Sequence, residues 1–366
     1  MSKPYRICIL GGGIIGLTTC CYFLKTYSSS SITVTLISDE FSPNITSAVA
    51  AGYWHSPNGE HLTRLALHSY DIFLSESYSI KAQYAGVMSM ASYVLHGSNG
   101  KYPTPDYVPN DTPLFSSYVK HFHHLSNEEL QMFDTLKPVS GYSFTTVVVE
   151  TKKYLNCIML YLKQKSNVKF IQKHVNNLDE LSSVDNFNLI VNCTGLGARE
   201  LVIDDAVNLY AGRGQVVRIC APYIKSVYLF DGGLGYIIPQ TDHVILGGSN
   251  EKNNESKIEN PTETIEILRK STKIFPSLVD HEIKEVSVGF RPIRKINGMT
   301  TVRVEFDREK REVIHNYGHG ADGITLSWGC ARQVIELAQT LIPSSNSVQP
   351  EKKRLVEHDK LWQIVE

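Results

Sequence analysis

Apolar positions open the chain in a short unbroken run. Arg6-Ile7-Cys8-Ile9-Leu10 has the continuous apolar character of a strand covered on both faces. Gly11, Gly12 and Gly13 break the run. Ile14, Leu17, Cys21 and Leu24 then recur on one face of a helix predicted over 14–27, which Ser28 to Ser31 end. The β-branched stretch Ile32 to Ile37 predicts a second strand. Strand, helix and strand within about 35 residues make a βαβ unit with a right-handed crossover.

Further along, Leu62, Leu65, Ile72 and Phe73 keep helical spacing after Glu60, and 102–113 is a loop rich in Pro, Asp and Asn. A helical pattern over 153–165 precedes strands at 168–171 and 187–191. Antiparallel strands are predicted at 214–219, 235–238, 244–247 and 282–290, with Pro239 to His243 as a hairpin connection and a helix over 263–275. A strand at 312–317 runs into Gly318 to Gly323, and a helix follows over 324–341. Beyond Pro343 the chain turns polar, and 351–366 reads as a charged terminal extension. Parallel-type pieces lie at both ends and in the middle, with antiparallel pieces between them. That order predicts a nucleotide-binding unit interrupted by a second one.

At 366 residues the chain exceeds what one core usually holds, so about two domains are expected. Lys and Arg number 36 against 37 Asp and Glu, with no basic stripe, which argues against nucleic-acid or membrane-surface partners. No stretch reaches the roughly 20 apolar residues of a membrane span, and no secretory signal is read at the start. The seven cysteines (Cys8, Cys20, Cys21, Cys157, Cys193, Cys220 and Cys330) include no C-x-x-C pair and no histidine at zinc-ligand spacing. They read as buried free thiols of a reducing, intracellular compartment, with no metal site. Cytoplasm is favoured over the peroxisomal matrix, because Gln363-Ile364-Val365-Glu366 is not an S-K-L-type address.

Candidate chemistry starts at the glycines. Gly11-x-Gly13-x-x-Gly16 lies between a strand and a helix: the first allows the tight turn, the second admits a pyrophosphate, the third lets the helix pack close. Asp39 follows the second strand, where an acid suits a ribose hydroxyl, with Glu40 as its rival. This motif does not choose between FAD and NAD. A second Gly-rich loop, Gly318-His319-Gly320-Ala321-Asp322-Gly323, also leads into a helix. Its N-terminus suits a flavin ring that becomes anionic on reduction, and two such helix starts fit a long, extended cofactor.

Six segments, in order, resemble the D-amino acid oxidase and D-aspartate oxidase family of FAD enzymes over nearly the whole chain. They are Leu10 to Leu17, Thr46 to Gly52, Val191 to Gly195, Gly212 to Val216, Gly289 to Arg294 and Val313 to Gly320, the last continuing through Trp328-Gly329. The resemblance implies an α/β fold: a Rossmann-like FAD-binding domain over 1–52, 150–200 and 290–345, interleaved with an α+β substrate domain over 53–149 and 201–289. The substrate domain would hold a large, mainly antiparallel sheet, and 346–366 would be an extension. Gly13, Ile14 and Ile15 would line the pyrophosphate turn, and Asp39 the adenosine ribose. Thr46, Ser47, Ala51 and Gly52 would run along the flavin. Val175 and the segment from Asn192 through Thr194 to Gly195 would flank the adenine side, and Gly320, Gly323, Ile324 and Thr325 would contact the ring and ribityl chain. Arg291 would bind the substrate carboxylate, helped by the Tyr236 hydroxyl.

The physics of those side chains agrees. A guanidinium matches a carboxylate in two parallel hydrogen bonds. The activity implied is deamination of D-amino acids to 2-oxo acids, ammonia and hydrogen peroxide, by hydride transfer from the α-carbon to flavin, with oxygen as acceptor. His315 and His319 are expected to brace the flavin loop, and Arg294 to be an ion-pair partner. A homodimer is compatible with the family.

The sequence departs from the family in the side-chain pocket. Gly232 stands where D-amino acid oxidases carry a second tyrosine, and neither Phe230 nor Asn250 is the basic residue of D-aspartate oxidases. His55 and Ala321 are expected to line the substrate site, and Lys252 is a nearby cation. Asp322 would repel an acidic substrate if it points inward. Neutral D-amino acids are therefore favoured, with D-aspartate and D-glutamate second. The long 315–329 segment argues against a glycine or sarcosine oxidase. The second Gly-rich loop argues against an NAD-dependent dehydrogenase, and Arg291 with Tyr236 against a non-catalytic flavoprotein.

Overall fold

A computed structural model describes residues 3–97, 112–133, 136, 138–230 and 235–342. Most of the loop expected over 102–113, Gly232 and the expected extension at 346–366 lie outside the described residues.

The strands gather into two sheets. The first has six, in the order Arg303–Phe306, Val313–Tyr317, Leu189–Asn192, Tyr5–Leu10, Ile32–Ser38 and Val168–Gln172. All neighbours are parallel except the Arg303–Phe306 edge. Ile7 sits between Val34 and Leu189 in register. All three are buried, which is why the sequence shows continuous apolar runs here rather than alternation. The Ile14–Thr26 helix buries nine of its 13 residues, so it is enclosed rather than amphipathic. It packs against the Gly323–Ala338 and Thr151–Lys163 helices. Thr18 and Thr19 tolerate this because their hydroxyls return to the Ile14 and Ile15 carbonyls at 2.8 and 2.7 Å.

The second sheet has ten strands, with Leu209–Ile219 and Ile283–Ile296 as its longest neighbours. Among the described residues its one parallel pair joins Val87–His96 to Val227–Phe230, so it is mainly antiparallel, as expected. The chain has the mixed α/β architecture anticipated. Along Leu209–Ile219 the side chains alternate between faces. Arg213 and Gln215 turn toward the Pro261–Ile274 helix, bonding Glu263 at 2.7 Å and the Asn260 carbonyl at 2.9 Å. That helix starts where the sequence allows it to: the Asn260 side chain accepts from the Thr262 and Glu263 amides, and Pro261 occupies the first turn. Gly212, Gly214, Val216 and Arg218 turn to the opposite face.

Val227–Phe230 and Arg303–Phe306 escaped the pattern reading, and so did the longer Val87–His96 and Ser140–Val149, which pair with each other over ten residues. Met88 to Ala91 is a half-buried stretch without polar alternation, so its period carries no strand signal. The Leu209–Ile219 and Ile283–Ile296 strands also extend beyond the predicted 214–219 and 282–290. Cys220 is a correction as well: it is exposed and Cys157 is partly exposed, whereas the other five cysteines are buried.

Candidate active site

The Gly-rich turn forms because side chains are excluded from it. Gly11 has φ +105°, and a Cβ there would strike the Cys193 carbonyl. A Cβ on Gly16 would strike the Gly11 carbonyl, which holds the helix start against the strand. The Gly12 amide donates to Ser38 Oγ at 2.9 Å, and the Ile14 amide to Ser47 Oγ at 3.1 Å. The short Thr46–Val49 helix therefore lies directly beside the turn. Thr194 adjoins Gly11 from the other side, its hydroxyl donating to Asn192 Oδ1 at 2.7 Å. Ile14, Ile15 and Val175 are buried beneath.

At the end of the second strand Asp39 and Glu40 are both exposed. Asp39 Oδ2 accepts from His174 Nδ1 at 2.9 Å. This bond and the nearby Glu200 carboxylate hold the His174 pKa above its ordinary value. Sequence reasoning missed His174, which the parallel pairing of Ile32–Ser38 with Val168–Gln172 brings to Asp39.

The segment after Ser47 is tied down by its carbonyls. Val49 accepts from Arg218 Nη2 at 3.3 Å, Ala50 from Thr151 Oγ1 at 3.0 Å and Ala51 from Gln240 Nε2 at 2.9 Å. Gly52 has φ +71° and presses on the Val149 carbonyl. The second Gly-rich loop is stitched to the Ile283–Ile296 strand: the Gly320 amide donates to the Pro292 carbonyl at 2.9 Å, and His319 bridges to Ile293. Val49 meets that strand at Gly289. The two loops thus flank one strand at positions on either side of Arg291. Ile324 and Thr325 are buried in the helix that opens at Gly323, while Ala321 is exposed.

Of the two loop histidines, only His315 has a side-chain brace. It is fully buried, and burial holds its pKa down against the pull of Asp307. Its Nε2 donates to Asp307 Oδ2 at 2.9 Å, which leaves Nδ1 as the acceptor facing Asn192 Nδ2 at 3.5 Å. The His319 ring has no partner for its Nε2 among the described residues; burial pushes its pKa down to about 3. Its brace is made through the backbone instead. Arg294 is an ion-pair partner as expected, with Nε 2.8 Å from Asp205 Oδ1.

Arg291 stands opposite Gly212 in the sheet, and the end of its guanidinium fork lies against Gly214. Nη1 donates to the Ser249 carbonyl at 2.9 Å, which fixes the plane of the fork. Tyr236 pairs with Gly247, and its hydroxyl rests against Gly248 beside the guanidinium. Burial pushes the Tyr236 phenol above its ordinary pKa, against the pull of the Arg291 charge and then of Arg218. It is therefore a hydrogen-bond donor aimed where Arg291 also donates. Gly214, Ser249 and Gly247 were not singled out from the sequence as parts of this clamp. The alternation of small residues along Gly212-Arg213-Gly214 is the signal that marks the close approach.

Three side chains near the pocket are placed as follows. The His55 ring lies among Tyr53, Phe115, Tyr142 and Phe144, with Nε2 2.8 Å from the Tyr142 hydroxyl. Burial pushes its pKa down to about 4, so it is neutral. Lys252 Nζ rests over the Tyr210 ring at 4.8 Å. Asp322 is partly buried and feels the Arg291 charge.

These features fit an extended dinucleotide. The turn is cleared of Cβ atoms, a helix start whose N-cap Gly13 offers no side-chain cap faces it, and a second helix start stands beside the flanked strand. Comparison with known proteins agrees. A profile described as FAD dependent oxidoreductase matches residues 6–337. A D-amino acid oxidase of Dugesia ryukyuensis is 32% identical over 351 residues, 92% of this chain and 98% of that one. A D-aspartate oxidase of Homo sapiens is 30% identical over 353 residues, 93% of this chain and 98% of that one. Among solved structures, glycine oxidase from Geobacillus kaustophilus superposes with a TM-score of 0.76 at 16% identity, covering 94% of this chain and 96% of that chain, a likeness of fold.

The chain belongs to the FAD dependent oxidoreductase family. Within it, the chain falls with the D-amino acid and D-aspartate oxidases, and its cofactor is FAD.

Proposed function

We propose that the chain oxidises D-amino acids to 2-oxo acids, ammonia and hydrogen peroxide, and that it favours neutral substrates over D-aspartate and D-glutamate. The observation that carries this reading is the meeting of the Arg291 fork, which lies over Gly214, with the Tyr236 hydroxyl, which lies against Gly248. A carboxylate received there takes two parallel hydrogen bonds from the guanidinium and one from the phenol. Such a clamp fixes the α-carbon, and fixing it is much of the catalysis. Bound FAD would supply the two-electron acceptor, which oxygen regenerates with release of peroxide. The oxidised product, an imine, takes up water and releases ammonia.

The preference for neutral side chains rests on what surrounds the clamp. Arg218, the second charge felt by Tyr236, is held by Ser287 Oγ at 2.7 Å and the Val49 carbonyl. His55 is neutral, and Lys252 covers Tyr210. A second carboxylate would find neither Arg218 nor Lys252 free to meet it, which is costly. Identities of 32% and 30% to oxidases of the two kinds do not separate them.

Peroxide release from D-alanine, D-methionine, D-aspartate and their L-forms tests the reading. Turnover of the D-forms alone, neutral ahead of acidic, is expected. Equal turnover of the L-forms, or none at all, overturns it. Faster turnover of D-aspartate than of D-methionine overturns the neutral preference.

A further inference from the structure

Asp322 occupies the N-cap position of the Gly323–Ala338 helix, where an aspartate commonly turns its carboxylate onto the first-turn amides. Here the side chain makes no capping hydrogen bond. The loop is closed by its backbone instead: the Asp322 amide donates to the His319 carbonyl at 2.9 Å, and its carbonyl accepts from the Leu326 amide at 2.9 Å. Among the described residues none hydrogen-bonds or ion-pairs with the carboxylate. Because Gly320 and His319 are fastened to Pro292 and Ile293, the loop carries Asp322 to within electrostatic reach of Arg291. The residue is partly buried, and the loss of water around its carboxylate pushes its pKa up to about 7 against the pull of Arg291. A partly buried acid that neither caps its helix nor pairs with protein is available to a ligand.

We propose that Asp322 is a specificity-determining residue, which selects D-amino acids with a cationic side chain, guanidinium or ammonium, and rejects those with a second carboxylate. The inference rests on the reading of Arg291 as the α-carboxylate clamp and deepens it by naming the side-chain class. A substrate held by its α-carboxylate at Arg291 projects its side chain into the space that Asp322 borders. There a positive terminus gains the partner that the protein withholds, and a negative one meets a like charge. Neutral side chains are indifferent to the charge and set the reference.

The test compares kcat/KM for D-arginine, D-methionine and D-aspartate in the FAD-loaded wild type and Asp322→Asn. It is run at about pH 8.5, where the acid is ionised. Asparagine keeps the shape and the N-cap preference, and flavin absorbance reports that each protein retains its cofactor. In the wild type, D-arginine is expected to exceed D-aspartate by about 100-fold or more. In Asp322→Asn the arginine-to-methionine ratio should fall about tenfold and the aspartate-to-methionine ratio rise about tenfold. A merely structural role would scale all three substrates together and leave both ratios where they were. Ratios unchanged by the substitution overturn the assignment, as does a wild type that prefers D-aspartate to D-arginine. Failure of the wild type on every D-amino acid would instead remove the oxidase reading on which it rests.

Discussion

Gly214 lies directly beneath the guanidinium of Arg291, so close that a Cβ at residue 214 would come within 2.6 Å of Nη2 and 2.7 Å of Cζ. Such a close approach is possible only over a residue with no side chain. Gly214→Ala is expected to fold, because the obstructing atoms are the movable end of a long side chain, but the fork must tilt away. A misplacement on the order of 1 Å costs about 100-fold in a positioned reaction. We expect kcat/KM for D-methionine to drop by that order while thermal stability changes little. Steady-state peroxide assays beside thermal denaturation will show whether the two separate.

Tyr236→Phe removes one donor and keeps the ring that packs against Gly247 and Gly248. A hydrogen bond to a charged carboxylate contributes about 1.5–3 kcal/mol, so kcat/KM should fall roughly 10- to 100-fold. Burial raises the wild-type phenol pKa, so the donor persists as pH rises. No loss of activity from this group is expected below about pH 10. A pH profile with an alkaline limb that disappears in Tyr236→Phe would contradict the placement.

Gly16→Ala places a methyl group on the Gly11 carbonyl. Backbone meets backbone here, so the helix start must lift from the strand and the phosphate turn must open. The expected result is a protein that loses most of its FAD on gel filtration. The ratio of flavin to protein absorbance measures it, and full retention would count against the turn as the cofactor's seat.

Asp205 is fully buried and holds Arg294 and Arg303 on its two oxygens at 2.8 and 2.9 Å, with the Tyr317 hydroxyl donating at 2.6 Å. Burial alone would raise its pKa; the Tyr317 bond and the two guanidinium groups overcome that, and the net shift is downward. A depressed carboxylate stabilises the fold above its unfolded-state pKa of about 3.9, and the contribution is lost as pH falls through the lower folded-state value. Asp205→Asn removes the charge that Arg294 and Arg303 share and leaves the buried Arg303 only Glu305 Oε1, at 2.9 Å, as a carboxylate partner, which costs about 3–5 kcal/mol near neutrality. The deficit should shrink toward pH 3. Urea unfolding of both proteins at several pH values tests the sign; a deficit that grows in acid would be wrong for this arrangement.

The nucleotide-binding end was legible because its signals are local. Gly11, Gly13 and Gly16 stand in one turn, and Ile7 to Leu10 and Ile32 to Ile37 announce buried strands by composition alone. The clamp was half legible: Arg291 and Tyr236 stood out through resemblance, but Gly214 and Ser249 reach them only through pairing across the sheet, which no local pattern encodes. His55 illustrates the limit. It was expected at the substrate site, and its hydrogen bond to Tyr142, which spans 87 residues of sequence, makes it part of an aromatic cluster. Val87–His96 was missed because half-buried Met, Ser and Ala positions show no period.

The first sheet takes strands from residue 5 to residue 317, and the strand that arrives last, Val313–Tyr317, slots between Leu189–Asn192 and Arg303–Phe306. A ribosome delivers the Gly11 turn within the first tens of residues and the loop at Gly320 more than three hundred residues later. The emerging polypeptide thus carries one end of its cofactor seat through nearly the whole of its synthesis before the other end exists. Loading with FAD belongs to the finished chain, and a message cut short before Tyr317 yields a protein with the Gly11 turn and nothing stitched to Pro292 to face it.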